Sequence, residues 1–449
     1  QNRAMAACCG VPTGRVDMLA FGLGSGIAGL GGVALSQLGN VGPELGQGYI
    51  IDSFLVVVLG GVGQLAGSVA AAFGLGIFNK ILEPQMGAVL GKILILVMII
   101  LFIQKRPQGL FALKGRVTLT LAQRAPRPLR WLGILLVLGL LSMPFLALLP
   151  ASHPLAVPSW LLTLSGKILC YAIVAVALDL VWGYAGMLSL GHGIFFALGG
   201  YAMGMYLMRQ AAGDGLPAFM SFLSWSELPW FWWGTQHFAW AMALVVLVPG
   251  LLALVFGWFA FRSKIKGVYF SIMTQALTYA GMLLFFRNET GFGGNNGFTG
   301  FTTLLGFPVT ATGTRASLFM ATVLLLLLTL WLGAALAQSK FGRILTAVRD
   351  AENRLMFCGY DPRGFKLLVW TLSAVLCGLA GALYVPQVGI INPSEMSPTN
   401  SIEAAIWVAL GGRGTLIGPV LGAGLVNGAK SIFTVAMPEY WQLFLGLIF

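Results

Sequence analysis

LGGVGQLAGS (residues 59–68) and LGGRGTLIGP (residues 410–419) are nearly the same glycine-dense decapeptide, written twice in one chain. Glycine at this density serves phosphate-binding loops, dinucleotide folds and close-packed helices alike, and the three predict different proteins. The spacing of Gly61, Gly63 and Gly67 is not that of a dinucleotide fingerprint, and the strand–turn–helix setting it needs is missing. GLVNGAKS (residues 424–431) approaches a phosphate-binding loop, but its glycine and lysine are not adjacent and it lies in an apolar segment. What remains is a device for helices. Each decapeptide is embedded in an apolar run, residues 49–82 and 402–437, much longer than the roughly 20 residues that cross a bilayer. One straight helix cannot use such a run.

Composition gives the same setting. Of 449 residues, 58% are hydrophobic and 9% charged, against roughly 25% charged in soluble domains. Further apolar stretches at 132–149, 238–261, 318–336 and 367–388 each suit one crossing. The sequence therefore predicts an all-α, polytopic transmembrane helical bundle. A net charge of +12 would suggest nucleic acid for a soluble protein. Here the basic residues cluster in short segments, 105–130, 262–266 and 340–366, as the positive-inside rule places them in cytoplasmic loops. The expected surroundings are lipid and other proteins, with no nucleic acid. The five cysteines lack metal-site spacing and read as reduced, small apolar residues, so neither a metal nor a cofactor is expected on this chain. With Gln1 at its start and an apolar run at its end, the chain reads as a fragment at both ends.

An internal repeat organises the chain. Cys9 and Gly10 match Cys358 and Gly359; in the apolar helix that follows, Gly29 and Gly32 match Gly378 and Gly381. Asp52 then matches Glu403, and the two decapeptides align. Residues 1–114 read as the C-terminal part of one module, 115–130 as a basic linker, and 131–449 as a second, nearly complete module. With the Gly10 loop and the linker both cytoplasmic, an even number of crossings separates them. Residues 18–37 and 89–103 supply two, so the long run around the first decapeptide supplies two more, or none as a re-entrant element. Either way the chain breaks at Gly60, Gly61 and Gly63, and by repetition at Gly411, Gly412 and Gly414. Such a break can serve close helix packing through small-xxx-small spacing or line a transport path.

Other residues carry similar pairs of readings. Asp52 and Glu403 are ionisable groups in apolar runs, hence candidates for a pathway, or acids near helix starts. His192, in GYAGMLSLGHG (residues 183–193) with Ser189, either ties helices together or lines a path; no partner residues make a zinc site. Asn296, in GFGGNNGFTG (residues 291–300), belongs to an outer turn or a gate. The basic segment 341–362 reads as an amphipathic helix ended by Gly359, with Ile344, Leu345 and Val348 alternating with Arg343, Arg349, Asp350 and Glu352. It either lies on lipid or docks in a partner's groove. Asn2, Arg3 and Gly10 repeat part of its signature, so the partner surface should be duplicated.

These motifs resemble the membrane subunits of the ABC importers for urea and branched-chain amino acids. GYAGMLSLGHG, GGNNGFTG (residues 293–300), AENRLMFCG (residues 351–359) and the twin LGGxG segments carry the resemblance. Within that family, VGPELGQGYIIDSFLVVVLGGVGQLAGS (residues 41–68) and FIQKRPQGLFALKGR (residues 102–116) most resemble the urea permease pair, here joined in one chain. The resemblance implies an inner-membrane permease fed by a periplasmic solute-binding protein and powered by two ATPase subunits that bind the ATP. It implies that Ala351, Glu352, Asn353, Arg354 and Gly359, with Asn2, Arg3 and Gly10, belong to loops that couple to those ATPases. The first module lacks a counterpart of residues 183–201. The solute is then urea, or a branched-chain amino acid. A secondary carrier would instead need intramembrane coupling carboxylates, for which Asp179 is the further candidate. An enzyme would need a nucleophile–base or metal constellation that the sequence does not offer.

Overall fold

A chain this apolar must satisfy its backbone polar groups within each segment, and it does so with helices. The computed structural model describes residues 3–42, 45–61, 64–105, 127–150, 153–263, 265 and 267–437. Among these, seven helices are long and apolar enough to cross a membrane. The chain divides into two compact units, the first holding the described residues up to Ile81 and the second those from Leu82 onward.

The first unit contains α1 (Arg3–Cys8), α2 (Thr13–Ser36), α3 (Leu45–Gly60) and the start of α4 (Leu65–Lys105). The expected break in the long apolar run lies between α3 and α4. The last part of α4 belongs to the second unit, and α4 is itself interrupted there at Gly87, whose φ of 78° and ψ of 159° are not helical. Pro84, three residues earlier, already lacks the N–H that a continuous helix needs. No residue of α2 is buried.

The second unit continues with α5 (Arg127–Ala147), α6 (Ser159–Asp179), α7 (His192–Ala212), the short α8 (Ala218–Phe222), α9 (Phe238–Arg262), α10 (Val268–Phe285), α11 (Thr312–Gln338), α12 (Lys340–Phe357), α13 (Pro362–Val388), α14 (Pro398–Gly411) and α15 (Ile417–Ala436). Its centre is α13, which packs on α6, α7 and α9. Small residues permit that approach: a Cβ on Gly378 would lie 2.7 Å from the Val245 carbonyl oxygen of α9, and one on Gly381 would strike the Phe196 carbonyl of α7. Their sequence matches in α2, Gly29 and Gly32, have nothing within 4 Å. The same glycine pattern is thus written twice, and its close helix contacts are those of the second copy.

Two-residue strands add a small cap to this all-α architecture. β1 (Phe298–Thr299) pairs antiparallel with β4 (Ile390–Ile391), and β2 (Thr303–Leu304) with β3 (Phe307–Pro308). The glycines of the segment containing Asn296 make this possible. Gly297, at φ 62°, lies so close to Ile391 that any Cβ would fall on its carbonyl oxygen. Asn296 itself is exposed in a single 3-10 turn next to this pairing.

Candidate functional site

The LGG motifs do break the helices, and they do so in the same way in both units. Gly60 ends α3 and Gly411 ends α14. The next residue leaves the helix at positive φ, 96° at Gly61 and 104° at Gly412. Each keeps its N–H on the fourth carbonyl back, Val57 at 3.0 Å and Val408 at 3.1 Å. The following helix then crosses the one just ended at glycines: a Cβ on Gly60 would fall on Gly67, and one on Gly411 on Gly418. The packing reading of the motif therefore holds, since the break is made by small-residue packing. Gly63 lies outside the described residues. Gly414 has a φ of 79°, open to glycine at little cost.

In the second unit the break is held by a carboxylate. Asp179, fully buried at the end of α6, accepts hydrogen bonds from the backbone N–H of Gly414 at 2.6 Å and of Leu416 at 3.1 Å. Leu416 needs this support, because a non-glycine residue at φ 60°, ψ −48° is strained. Its side chain fills the space left open by Gly333 of α11, where a Cβ would lie 2.9 Å from Leu416 Cδ2. The segment after Asp179, residues 180–184, is a π-helical turn. Arg349 of α12 donates from Nη1 to the Gly183 carbonyl at 2.7 Å and is itself paired with Asp350 at 2.7 Å. Arg413, next to the break, lies over the Trp182 ring at 5.3 Å. One short set of contacts thus joins α12, the π-turn and the LGG break.

The loops ending at Gly10 and Gly359 also repeat in detail. Both glycines have a left-handed φ, 80° and 83°. In each, the glycine N–H bonds three residues back (Ala7, Met356) and the next N–H five back (Ala6, Leu355), as in a Schellman helix end. Arg3 opens α1, and Asn2 lies outside the described residues. The second helix departs from its expected continuity, being interrupted at Ala351 with φ −155°, ψ 63°. After the interruption, the Glu352 carboxylate accepts from Lys366 of α13 at 2.7 Å. The expected docking face is corrected as well. Leu345 and Val348 are buried against the chain's own helices, whereas Asn353, Arg354, Met356, Phe357, Cys358 and Gly359 are exposed. Phe357 is 91% exposed, so the free surface is the helix's end and not its apolar stripe.

His192 is 1% exposed and has both ring nitrogens engaged. Nε2 lies 2.6 Å from Ser373 Oγ and Nδ1 3.0 Å from Ser189 Oγ. Ser373 donates its hydroxyl to the Ala177 carbonyl at 2.8 Å, so it accepts from Nε2–H, and Nδ1 accepts from Ser189. This assigns a neutral imidazole that ties α7 to α13 and, through Ser373, to α6. The histidine is a helix tie, with no spare nitrogen for a ligand.

Neither acid of the LGG runs sits at a helix start. Asp52 is well inside α3, and Glu403 lies beyond the first turn of α14, whose start is capped by Ser397 through the Asn400 N–H. The helix dipole acts within the first turn, which is why the capping reading fails. Glu403 instead accepts from Lys430 of α15 at 2.7 Å, clamping the α14–α15 hairpin. Sequence reasoning passed over Lys430 because it was weighed only as part of a glycine–lysine motif. Lys167, in α6, was missed too, although a lysine inside an apolar span is a signal in itself. Among the described residues, no three histidine, cysteine or carboxylate side chains are grouped to hold a metal ion.

Residues 1–103 and 160–449 match the family described as "Branched-chain amino acid transport system / permease component". Among curated proteins, the chain is 25% identical over 325 residues to the high-affinity branched-chain amino acid transport system permease protein LivM of Escherichia coli, covering 67% of this chain and 70% of that protein. The Salmonella typhimurium protein of the same name is 25% identical over 62% of this chain and 64% of its own length. The autoinducer 2 import system permease protein LsrC of Yersinia pestis is 30% identical over 28% of this chain and 37% of its own. No solved structure matches.

Proposed function

This chain belongs to the permease-component family of branched-chain amino acid transport systems, and within that family we propose that it moves urea across the membrane. It is a multi-pass inner-membrane transport protein and not an enzyme. ATP is bound and hydrolysed by separate ATPase subunits docked at the ends of α1 and α12, and a periplasmic binding protein delivers the solute.

The observation that carries a solute without net positive charge is how the second unit uses its carboxylates. Asp179 is held by two backbone N–H groups, Glu352 by Lys366, Glu403 by Lys430, and Glu395 by the Tyr384 hydroxyl at 3.1 Å. A cationic solute has to be met by a carboxylate that is free to change partners, and each of these carboxylates is already held by one. The same fact weighs against an ion-coupled carrier, whose coupling carboxylate must exchange its ligand during the cycle. Residues 41–68 and 102–116 add their likeness to the urea permease pair.

Branched-chain amino acid transport is the second reading, favoured by the relatives named LivM. Uptake of labelled urea and labelled leucine, by cells holding the intact transporter and by cells lacking it, separates the two. Urea accumulation is expected. Leucine accumulation without urea would overturn the reading.

A further inference from the structure

In the second unit, α6, α14 and α15 line an open pocket of about 310 Å³. Its walls include Lys167 and Tyr171 from α6, Asn400, Glu403 and Trp407 from α14, and Lys430 from α15. Helix direction fixes its depth. α6 and α14 both run toward the LGG break beside α12, and these residues lie well before that end. Lys430 lies near the far end of α15, which runs back the other way. The basic α12 marks the cytoplasmic end, so the cavity occupies the outer half of the unit, where a solute delivered from outside arrives first.

The charges in this cavity are unusual for a packing defect. Lys167 has no carboxylate within salt-bridge distance among the described residues, and its Nζ stands 5.8 Å from the centre of the Tyr171 ring. Lys430 takes one oxygen of Glu403, Oε1, and no described hydrogen bond uses Oε2. The Tyr171 and Trp407 rings lie against each other, centres 5.2 Å apart and planes tilted by 34°, and give the polar groups an aromatic wall. Charged groups inside a span are costly and persist where they meet a substrate or ion. A lysine ammonium offers donors only, and a carboxylate acceptors only.

We propose that this cavity is a solute-binding site of the permease for a small planar amide. The amide oxygen accepts from Lys167, an N–H donates to Glu403 Oε2, and the Tyr171–Trp407 wall lies along the planar face. This rests on the reading that the solute is urea, and it adds a place and a set of contacts to it. Leucine carries the same pairing of an oxygen acceptor with N–H donors, so the test must separate the two solutes.

Ser431 lines the same cavity and, among the described residues, bonds to the backbone of its own helix. Ser431→Cys, made in the complete transporter with its ATPase and binding subunits, therefore places a reporter thiol there. Its rate of modification by a small thiosulfonate is read with urea, with leucine or with neither, all far below denaturing concentrations. Urea is expected to slow the modification. Adding Lys167→Met is expected to raise the urea concentration for half-protection about tenfold, the loss of one hydrogen bond to a charged group. Adding Glu403→Gln is expected to act in the same direction. No protection by urea, in a transporter that accumulates urea, overturns the site and leaves the functional reading standing. Protection by leucine and not urea overturns the amide assignment. Accumulation of leucine alone overturns the functional reading itself.

Discussion

At the residue scale, the molecule turns on Asp179. Its two backbone hydrogen bonds to Gly414 and Leu416 are charge-assisted, the first partly and the second fully buried. Hydrogen bonds to charged groups contribute roughly 1.5–3 kcal/mol each. Asp179→Ala leaves the buried Leu416 N–H and the half-buried Gly414 N–H without their acceptor and Leu416 strained without support. A loss of about 3 kcal/mol or more is expected, read as a drop in the melting temperature of the detergent-solubilised chain; Asp179→Asn, which keeps one acceptor, should recover part of it. A melting temperature unchanged in Asp179→Ala would show that the break stands without the carboxylate. Glycine makes a second contrast. Gly411→Val sets a side chain onto the Gly418 backbone, whereas Gly424, four residues past Val420 on the same helix, has nothing within 4 Å. Gly411→Val is expected to abolish accumulation of folded protein and Gly424→Ala to leave it near normal, as checked by fluorescence-detected size exclusion.

Among elements, the break was legible from length alone, since a run far beyond one bilayer crossing must turn. The carboxylate holding it was not legible, because Asp179 lies 235 residues from Gly414 and no local pattern joins them. Helix α12 shows the same division. Its amphipathic period and its glycine stop were readable, but which face stays free depends on α11 and α13 covering Leu345 and Val348. The helix-start readings of Asp52 and Glu403 failed because proximity to a helix start was judged without knowing where α3 and α14 begin. Asp361, which caps α13, is a small further case. The Arg363 side chain and then its N–H hold that carboxyl below the usual aspartate range. A depressed folded-state value means its cap contribution is present above the ordinary range and fades only as pH falls through the lowered value. For docking, the exposed end of α12 predicts that Gly359→Arg abolishes co-purification with the ATPase subunits while the chain still inserts in the membrane. Gly359→Ala separates shape from bulk: it carries the left-handed strain, of order 1 kcal/mol, without the charge, and should keep most of the association. Undiminished co-purification in Gly359→Arg would remove this loop from the ATPase interface.

At the scale of the whole molecule, transport requires that events at α12 reach the solute. The second unit offers a continuous route: Arg349 holds the π-turn at Gly183, Asp179 beside that turn holds the LGG break, and the α14–α15 hairpin rises from the break to the Glu403–Lys430 clamp. Contiguity alone does not establish coupling, which needs an energetic test. Arg349→Ala removes the link between α12 and the turn but leaves the exposed end of α12 untouched. The ATPase subunits should therefore still bind and hydrolyse ATP, while solute uptake per ATP falls by about tenfold, equal to roughly 1.4 kcal/mol of lost coupling. Asp179→Asn loosens the next link. If both residues act through the same turn, the double variant should lose little more than the worse single one, because interacting sites are non-additive. Losses that multiply would mean that Arg349 and Asp179 act independently, and the motion would have to reach the hairpin through α13 instead, by way of Lys366 and Glu352.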